Sequence, residues 1–227
     1  MLTWVEIDAS AIRANIDAFR AITPAQMAVM AVVKANAYGH GLETTAPAVA
    51  DRADWLGVNT IDEAMTLYRM GVRKPVAILG FTELDRVQEV VLQGFRQVVY
   101  RLDVAAALSR AAEWVGGMAH IHLKIETGTN RQGIALKDLP EFIEQLRALP
   151  GLNVEGVYTH FANIEDTLDP SYAKTQLQRF RKARSILEKA GIRPPHIHAA
   201  ATAGTLLYPD AGFTMIRIGI GTYGVWP

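Results

Sequence analysis

Short continuous apolar runs trade places along this chain with stretches in which apolar residues recur every three or four positions. The first pattern is expected of buried strands and the second of helices packed on one face. Such runs fall at residues 27–33, 55–58 and 75–79, and further strands are read at 97–100, 120–125, 152–158, 196–199 and 215–218, which gives eight strands. Helical periodicity fills most of the gaps. Ile12, Ile16, Phe19 and Ile22 share a face after Ser10, a residue able to cap a helix. Further helices are expected through Leu42, Ala46 and Val49, from Ile61 to Met70, after Thr82, over 104–115, over 139–149, and up to Ala190. Thr60 and Glu63 have the spacing of a capping box, and Gly71, Gly94, Gly116 and Gly191 stand where left-handed helix ends are expected. Ahead of all these, Trp4, Glu6 and Asp8 alternate with Val5 and Ile7, which predicts a short half-buried strand.

Strand then helix, repeated without a linker or low-complexity tract, is the pattern of a (β/α)8 (TIM) barrel, an α/β fold occupying residues 1–227 as one domain. A doubly wound sheet is the alternative, but no glycine-rich phosphate turn follows the first strand. Half of the residues are hydrophobic, enough for a sizeable core. Formal charge is zero with no basic block, which argues against a nucleic-acid or membrane-surface partner. The absence of cysteine excludes disulfides, thiol catalysis and cysteine-ligated metal, and no metal is expected. The first residues lack a signal-peptide pattern, and no uncharged apolar stretch approaches the roughly 20 residues of a membrane span. A cytoplasmic protein is the expectation.

In a barrel, chemistry sits at the C-terminal ends of the strands. Lys34 ends the first predicted strand, Arg131 follows the fifth and His160 the sixth, while His198 lies in the seventh and Arg217 in the eighth. Lys34 is the most telling. A lysine at a strand end is commonly a snorkelling surface residue. One held in an apolar setting has a lowered pKa, which frees its amine as a nucleophile toward a carbonyl.

The string Ala-Val-Val-Lys-Ala-Asn-Ala-Tyr-Gly-His-Gly over 31–41 closely resembles the pyridoxal-phosphate (PLP) signature of alanine racemases. So do Lys-Ile-Glu-Thr-Gly-Thr-Asn-Arg-Gln-Gly at 124–133 and Tyr-Thr-His-Phe-Ala at 158–162. The resemblance spans nearly the whole chain. It implies that Lys34 forms the Schiff base with PLP, that Tyr38 bonds the cofactor's phosphate, and that Arg131 contacts its phenolic oxygen. Lys124 matches a lysine that is often carbamylated and steadies that arginine. His160 matches the active-site histidine, and Arg217 the arginine facing the pyridine nitrogen, with His198 as its hydrogen-bonding neighbour. Thr202 offers a hydroxyl to the phosphate, and the N–H groups of Gly219 and Ile220 are placed to join it. Lys34, His160 and Arg217 are the candidate catalytic residues.

The resemblance implies interconversion of L- and D-alanine, which supplies D-alanine for peptidoglycan, by a homodimer. Four positions depart from the family: Thr129 replaces a methionine, Glu126 an aspartate, and Ala201-Thr202 an Asn-Ser pair. Family members continue into a β-rich C-terminal domain that supplies a catalytic tyrosine across the dimer interface. This sequence ends at Trp226-Pro227, so the expectation is the barrel portion alone, poor in activity without that domain. Two rivals remain: a single-barrel PLP-binding protein of cofactor homeostasis, and a binding or regulatory module on the same barrel.

Overall fold

A computed structural model of the chain describes residues 2–165, 168–211 and 213–227. Its strands are β1 (Ala28–Val32), β2 (Trp55–Val58), β3 (Val76–Ile78), β4 (Arg96–Val99), β5 (Ala119–Glu126), β6 (Ile134–Ala135), β7 (Leu152–Tyr158), β8 (His196–His198) and β9 (Met215–Ile218). Eight of them are parallel neighbours in the order β8-β7-β5-β4-β3-β2-β1-β9, with the two-residue β6 attached to the end of β5. The ends of that order meet. Thr214 N–H donates to the Ile197 carbonyl (3.1 Å) and Arg217 N–H to the Ala200 carbonyl (3.0 Å), which brings β8 beside β9 and nearly closes a (β/α)8 barrel.

Both faces of these strands are covered, which is why β1, β2 and β3 read as unbroken apolar runs. Val29, Ala31 and Val33 point outward into the layer beneath the helices. Met30 points inward, where it meets Trp55, Ala77 and Met215 in a separate small cluster inside the barrel. The helices bury the expected stripes, for example Ile12, Ile16 and Phe19 of Ala9–Ala21. The capping box at Thr60 forms with both of its hydrogen bonds, and the helix Ile61–Arg69 follows it.

Four expectations differ. Residues 2–8 form no strand; Leu2, Trp4 and Val5 are exposed, and no described strand lies alongside to pair their backbone groups. The cap of the first helix is Asp8 rather than Ser10, because its carboxylate accepts from both Ser10 N–H and Ala11 N–H. Thr82 is not a cap; its buried hydroxyl donates to Gln97 Oε1 (2.7 Å), and the next helix starts later, at Val87. Finally, the helix Thr202–Leu207 and the short 3-10 turns Pro209–Ala211 and Ile220–Tyr223 stand where no element was expected. The remaining predicted strands match with ends shifted by a residue or two.

Candidate active site

The first feature of the site is a reversal of backbone handedness immediately after β1. Ala35, Asn36, Ala37 and Tyr38 all adopt φ of 53–55°, a complete left-handed turn built from residues with side chains. Such residues cost on the order of 1–2 kcal/mol each in this conformation. Local bonds offset the cost. Asn36 Oδ1 accepts from Leu42 N–H (2.7 Å), Gly41 N–H donates to the Asn36 carbonyl (3.0 Å), and His40 N–H to the Ala37 carbonyl (3.0 Å). Gly39 and Gly41, both at φ 87°, carry the chain out of the turn where a side chain would be strained. Lys34 and Tyr38, at the two ends of the turn, face one cavity.

That cavity, about 370 Å³, lies at the C-terminal ends of the strands. Lys34, Tyr38, Lys124, Arg131, His160, Thr202, Arg217, Gly219 and Ile220 all line it. Four of these side chains are cationic, and Glu165 is the one carboxylate lining the cavity among the described residues. The cations disfavour one another. Burial lowers the pKa of the Lys34 amine, helped by Arg131 and Arg217 and opposed by Glu63. Burial, then Arg131 and Arg217, brings Lys124 down to about 8. The His160 imidazole, buried beside all four cations, falls to about 3 and stays neutral at ordinary pH.

Arg217 is 4% exposed, and burial lowers it to about 10, so it remains charged at neutral pH. Its guanidinium donates to the carbonyls of Thr159 and Ala199 (2.9 Å each) and to His198 Nδ1 (2.7 Å). None of these bonds goes to a carboxylate. Its charge lies 5.0 Å over the Tyr158 ring, and that ring stacks on His198 with centroids 4.8 Å apart.

At the opposite wall, Thr202 Oγ1 accepts from Gly219 N–H and Gly221 N–H (3.2 Å each), tying the chain after β8 to the chain after β9. A Cβ on Gly219 would stand 2.6 Å from the Tyr38 hydroxyl. The tyrosine therefore closes directly over the glycine backbone. The Tyr38 ring is braced from behind by Tyr223 (centroids 5.4 Å), which stacks on His40 (4.4 Å).

The departures at 126–129 have structural partners. The Thr129 hydroxyl donates to the His160 carbonyl, and the Glu126 carboxylate accepts Gly128 N–H. Gln176, from the helix Ser171–Lys189, donates to the same His160 carbonyl (3.2 Å) and accepts Ala162 N–H (2.9 Å). The arginine loop and the His160 turn are thus bound together by side chains.

Of the site residues expected from sequence, His198 alone does not line the cavity. It is fully buried one layer below, behind Arg217. Sequence reading missed Gln132, which accepts a hydrogen bond from Lys124 Nζ (2.9 Å), and His122, which is 3.0 Å from His198. His122 was legible in principle: it shares the inward period-2 register of β5 with Lys124.

Comparison with known proteins gives a consistent result. Residues 7–227 match the family model described as "Alanine racemase, N-terminal domain". The alanine racemase of Symbiobacterium thermophilum is 39% identical over 226 residues, covering 99% of this chain and 59% of that protein. That of Methanococcus maripaludis is 37% identical, covering 99% and 60%. Among solved structures, the Clostridium difficile alanine racemase in complex with cycloserine superposes with a TM-score of 0.95 at 28% identity, over 100% of this chain and 63% of that one. The Bacillus anthracis alanine racemase with bound L-Ala-P gives 0.92 at 33% identity, over 99% and 58%. The chain spans about 60% of the length of the curated relatives it matches.

Proposed function

Because the chain belongs to the alanine racemase N-terminal domain family, we propose that its cavity binds PLP and that the protein interconverts L- and D-alanine. The observation that carries this reading is the pooling of Lys34, Lys124, Arg131 and Arg217 around one cavity that also holds a tyrosine, a threonine hydroxyl and close glycine backbone. A set so rich in donors and cationic charge fits a ligand that bears a phosphate and a phenolate.

Tyr38, Thr202 and the Ile220 N–H would hold the phosphate, joined by the Gly219 N–H where it is released from Thr202 Oγ1. Arg131 would meet the phenolic oxygen; Lys124, which donates to Gln132, would steady that arginine once carbamylated, as the resemblance implies. Arg217 would hold the pyridine nitrogen and, being an obligate donor, would leave that nitrogen without a full proton. PLP, when bound, supplies an electron sink for the pair left behind when a substrate Cα–H bond breaks. Lys34 is both the attachment point and the base that takes or returns the Cα proton on one face. Its lowered pKa keeps more of the amine unprotonated than an exposed lysine would be. His160 stays neutral beside Arg217, its Nδ1 3.5 Å from a guanidinium nitrogen. The family resemblance assigns the opposite face to a tyrosine of a second domain, within a homodimer. The same reading makes residues 1–227 a PLP-binding domain of a cytoplasmic enzyme supplying D-alanine. No described helix is long and apolar enough to cross a membrane.

The test uses this 227-residue chain. With PLP it should develop visible absorbance, and borohydride reduction should leave a pyridoxyl label on Lys34. Deuterium from solvent should enter the Cα of alanine, faster from the D-enantiomer, the face that Lys34 serves by resemblance. Loss of one of two bases slows exchange by roughly 10²–10⁴ relative to a two-domain relative. A label on another lysine, or no Cα exchange from either enantiomer, overturns the reading.

A further inference from the structure

Beneath the cavity, a line of buried polar side chains runs down the inside of the barrel to its other end. Arg217 Nη1 lies 2.7 Å from His198 Nδ1, and the other nitrogen of that ring, Nε2, lies 3.0 Å from His122 Nδ1. His122 Nε2 in turn faces Glu155 Oε2 at 3.8 Å. Glu155 is gripped by both arms of Arg96, at 2.7 and 3.1 Å. His122 and His198 have no solvent exposure.

The chemistry of these groups allows one direction only. A guanidinium has no acceptor, so His198 Nδ1 must accept and the ring proton must sit on Nε2. That proton points at His122 Nδ1, which must therefore accept in its turn. The His122 proton is left on Nε2, directed at the carboxylate. We propose that His122 and Glu155 are positioning residues: with the Arg96-held Glu155 facing its Nε2–H, His122 keeps Nδ1 as the acceptor for His198 Nε2–H, and this grip orients the His198 ring whose Nδ1 lone pair meets Arg217 and sets its orientation in the cavity. The functional half of this inference rests on the PLP reading above.

Backbone features are built around this line. The parallel register between β5 and β7 slips between Ile121 and His122: Ile121 pairs with Val154, but His122 pairs with Gly156, leaving Glu155 as an extra residue in β7. The bulge interrupts the alternation: Val154 and Val157, three residues apart, both pack outward, so Glu155 and Gly156 both face inward, where Glu155 meets Arg96 and His122. The next residue must be glycine, since a Cβ at 156 would lie 2.4 Å from His122 Nδ1. Trp55 packs against His122 from across the barrel (centroids 5.5 Å) and takes the Arg96 cation on its face at 5.2 Å. The long joint in the line is the 3.8 Å gap from His122 Nε2 to Glu155; that nitrogen has no hydrogen-bond partner among the described residues. Both imidazoles are kept neutral chiefly by burial, with Glu155 opposing this at His122 and Arg217 reinforcing it at His198.

The test reads the protons directly. Nitrogen NMR of the chain labelled with 15N-histidine, without PLP, should show His122 and His198 as single Nε2–H tautomers that do not titrate between about pH 5.5 and 8. His122→Leu removes the acceptor for His198 Nε2–H; Arg217 still holds the tautomer, but the His198 Nε2–H signal should move upfield as its hydrogen bond is lost. His122→Gln supplies an amide oxygen toward His198 and an amide N–H toward Glu155, and should return the His198 Nε2–H signal to its original position. With PLP added, the pH midpoint of its visible absorbance should shift by half a pH unit or more in His122→Leu and return in His122→Gln. An Nδ1–H tautomer at His198 in the unmutated chain overturns the proposal without any variant. So does an unchanged His198 in His122→Leu. If PLP fails to bind the unmutated chain, the functional reading falls while the NMR result still decides the proton line.

Discussion

Gly219→Ala is the sharpest probe of the phosphate cradle. The added Cβ would lie 2.6 Å from the Tyr38 hydroxyl oxygen and 3.3 Å from Cζ. Ordinary contact needs about 3.5 Å, so the hydroxyl has to retreat by roughly an ångström. Retreat is resisted, because Tyr223 lies behind the Tyr38 ring and is itself stacked on His40, while the Tyr38 backbone belongs to the left-handed turn. The hydroxyl is therefore displaced from the position where it serves the ligand. Losing one hydrogen bond to a charged group weakens binding by about 1.5–3 kcal/mol, or roughly 10- to 150-fold in Kd. Absorbance titration with PLP gives that ratio, and titration with pyridoxal, which lacks the phosphate, gives the control. PLP should lose affinity and pyridoxal should not. Equal losses for both ligands, or PLP binding at the original strength, would refute the placement of the phosphate here.

Three further outcomes follow from the same geometry. His122 and His198 are held neutral in the fold but protonate when unfolded near pH 6.5, so their contribution is full above 6.5 and is lost as pH falls below it. Urea unfolding at pH 7, 6 and 5 should show stability dropping by up to about 1.4 kcal/mol per pH unit per histidine below 6.5; a flat profile contradicts their burial as neutral rings. Gly156→Ala must push the His122 ring aside and should lower stability by about 1–3 kcal/mol, read as a lower urea midpoint; an unchanged midpoint would mean that the ring has room. Glu63 raises the Lys34 pKa, so Glu63→Gln should lower it further and move the pH midpoint for PLP attachment downward; an upward or absent shift contradicts the assignment.

Most of the barrel was legible because its strands are buried on both faces. Continuous apolar runs such as 28–32 and 76–78 leave little choice of element. Lys34 stood out for the complementary reason, since a charged residue ending such a run is costly unless used. What stayed hidden depended on contacts rather than on period. The left-handed turn at 35–38 has no periodic signature, and its glycines at 39 and 41 suggested only a loop. The Thr202–Leu207 helix is too short and too rich in small residues to show a stripe. The alternation of Trp4 through Asp8 predicted a strand that has nothing beside it to pair with. The bulge at Glu155 could not be read at all, because it is a property of two strands in register.

The inward positions of the barrel also explain why Arg217 has an imidazole beside it instead of a carboxylate. The β1, β2, β3 and β9 side of the interior is filled by Met30, Trp55, Ala77 and Met215. The β4, β5, β7 and β8 side carries Arg96, His122, Glu155 and His198. A carboxylate at 198 would bind Arg217 strongly and cancel its charge at the cavity. A neutral imidazole takes one hydrogen bond from the guanidinium while adding no charge, so the full positive field still faces the cavity. The cost is visible in the depression of Arg217 to about 10, still some three units above neutral pH. The interior's one paired carboxylate, Glu155, is kept at the far end of the line, where Arg96 rather than Arg217 absorbs its charge. Two neutral rings thus pass orientation up the barrel and pass no charge, and that is the arrangement an anion-binding cavity requires of the layer beneath it.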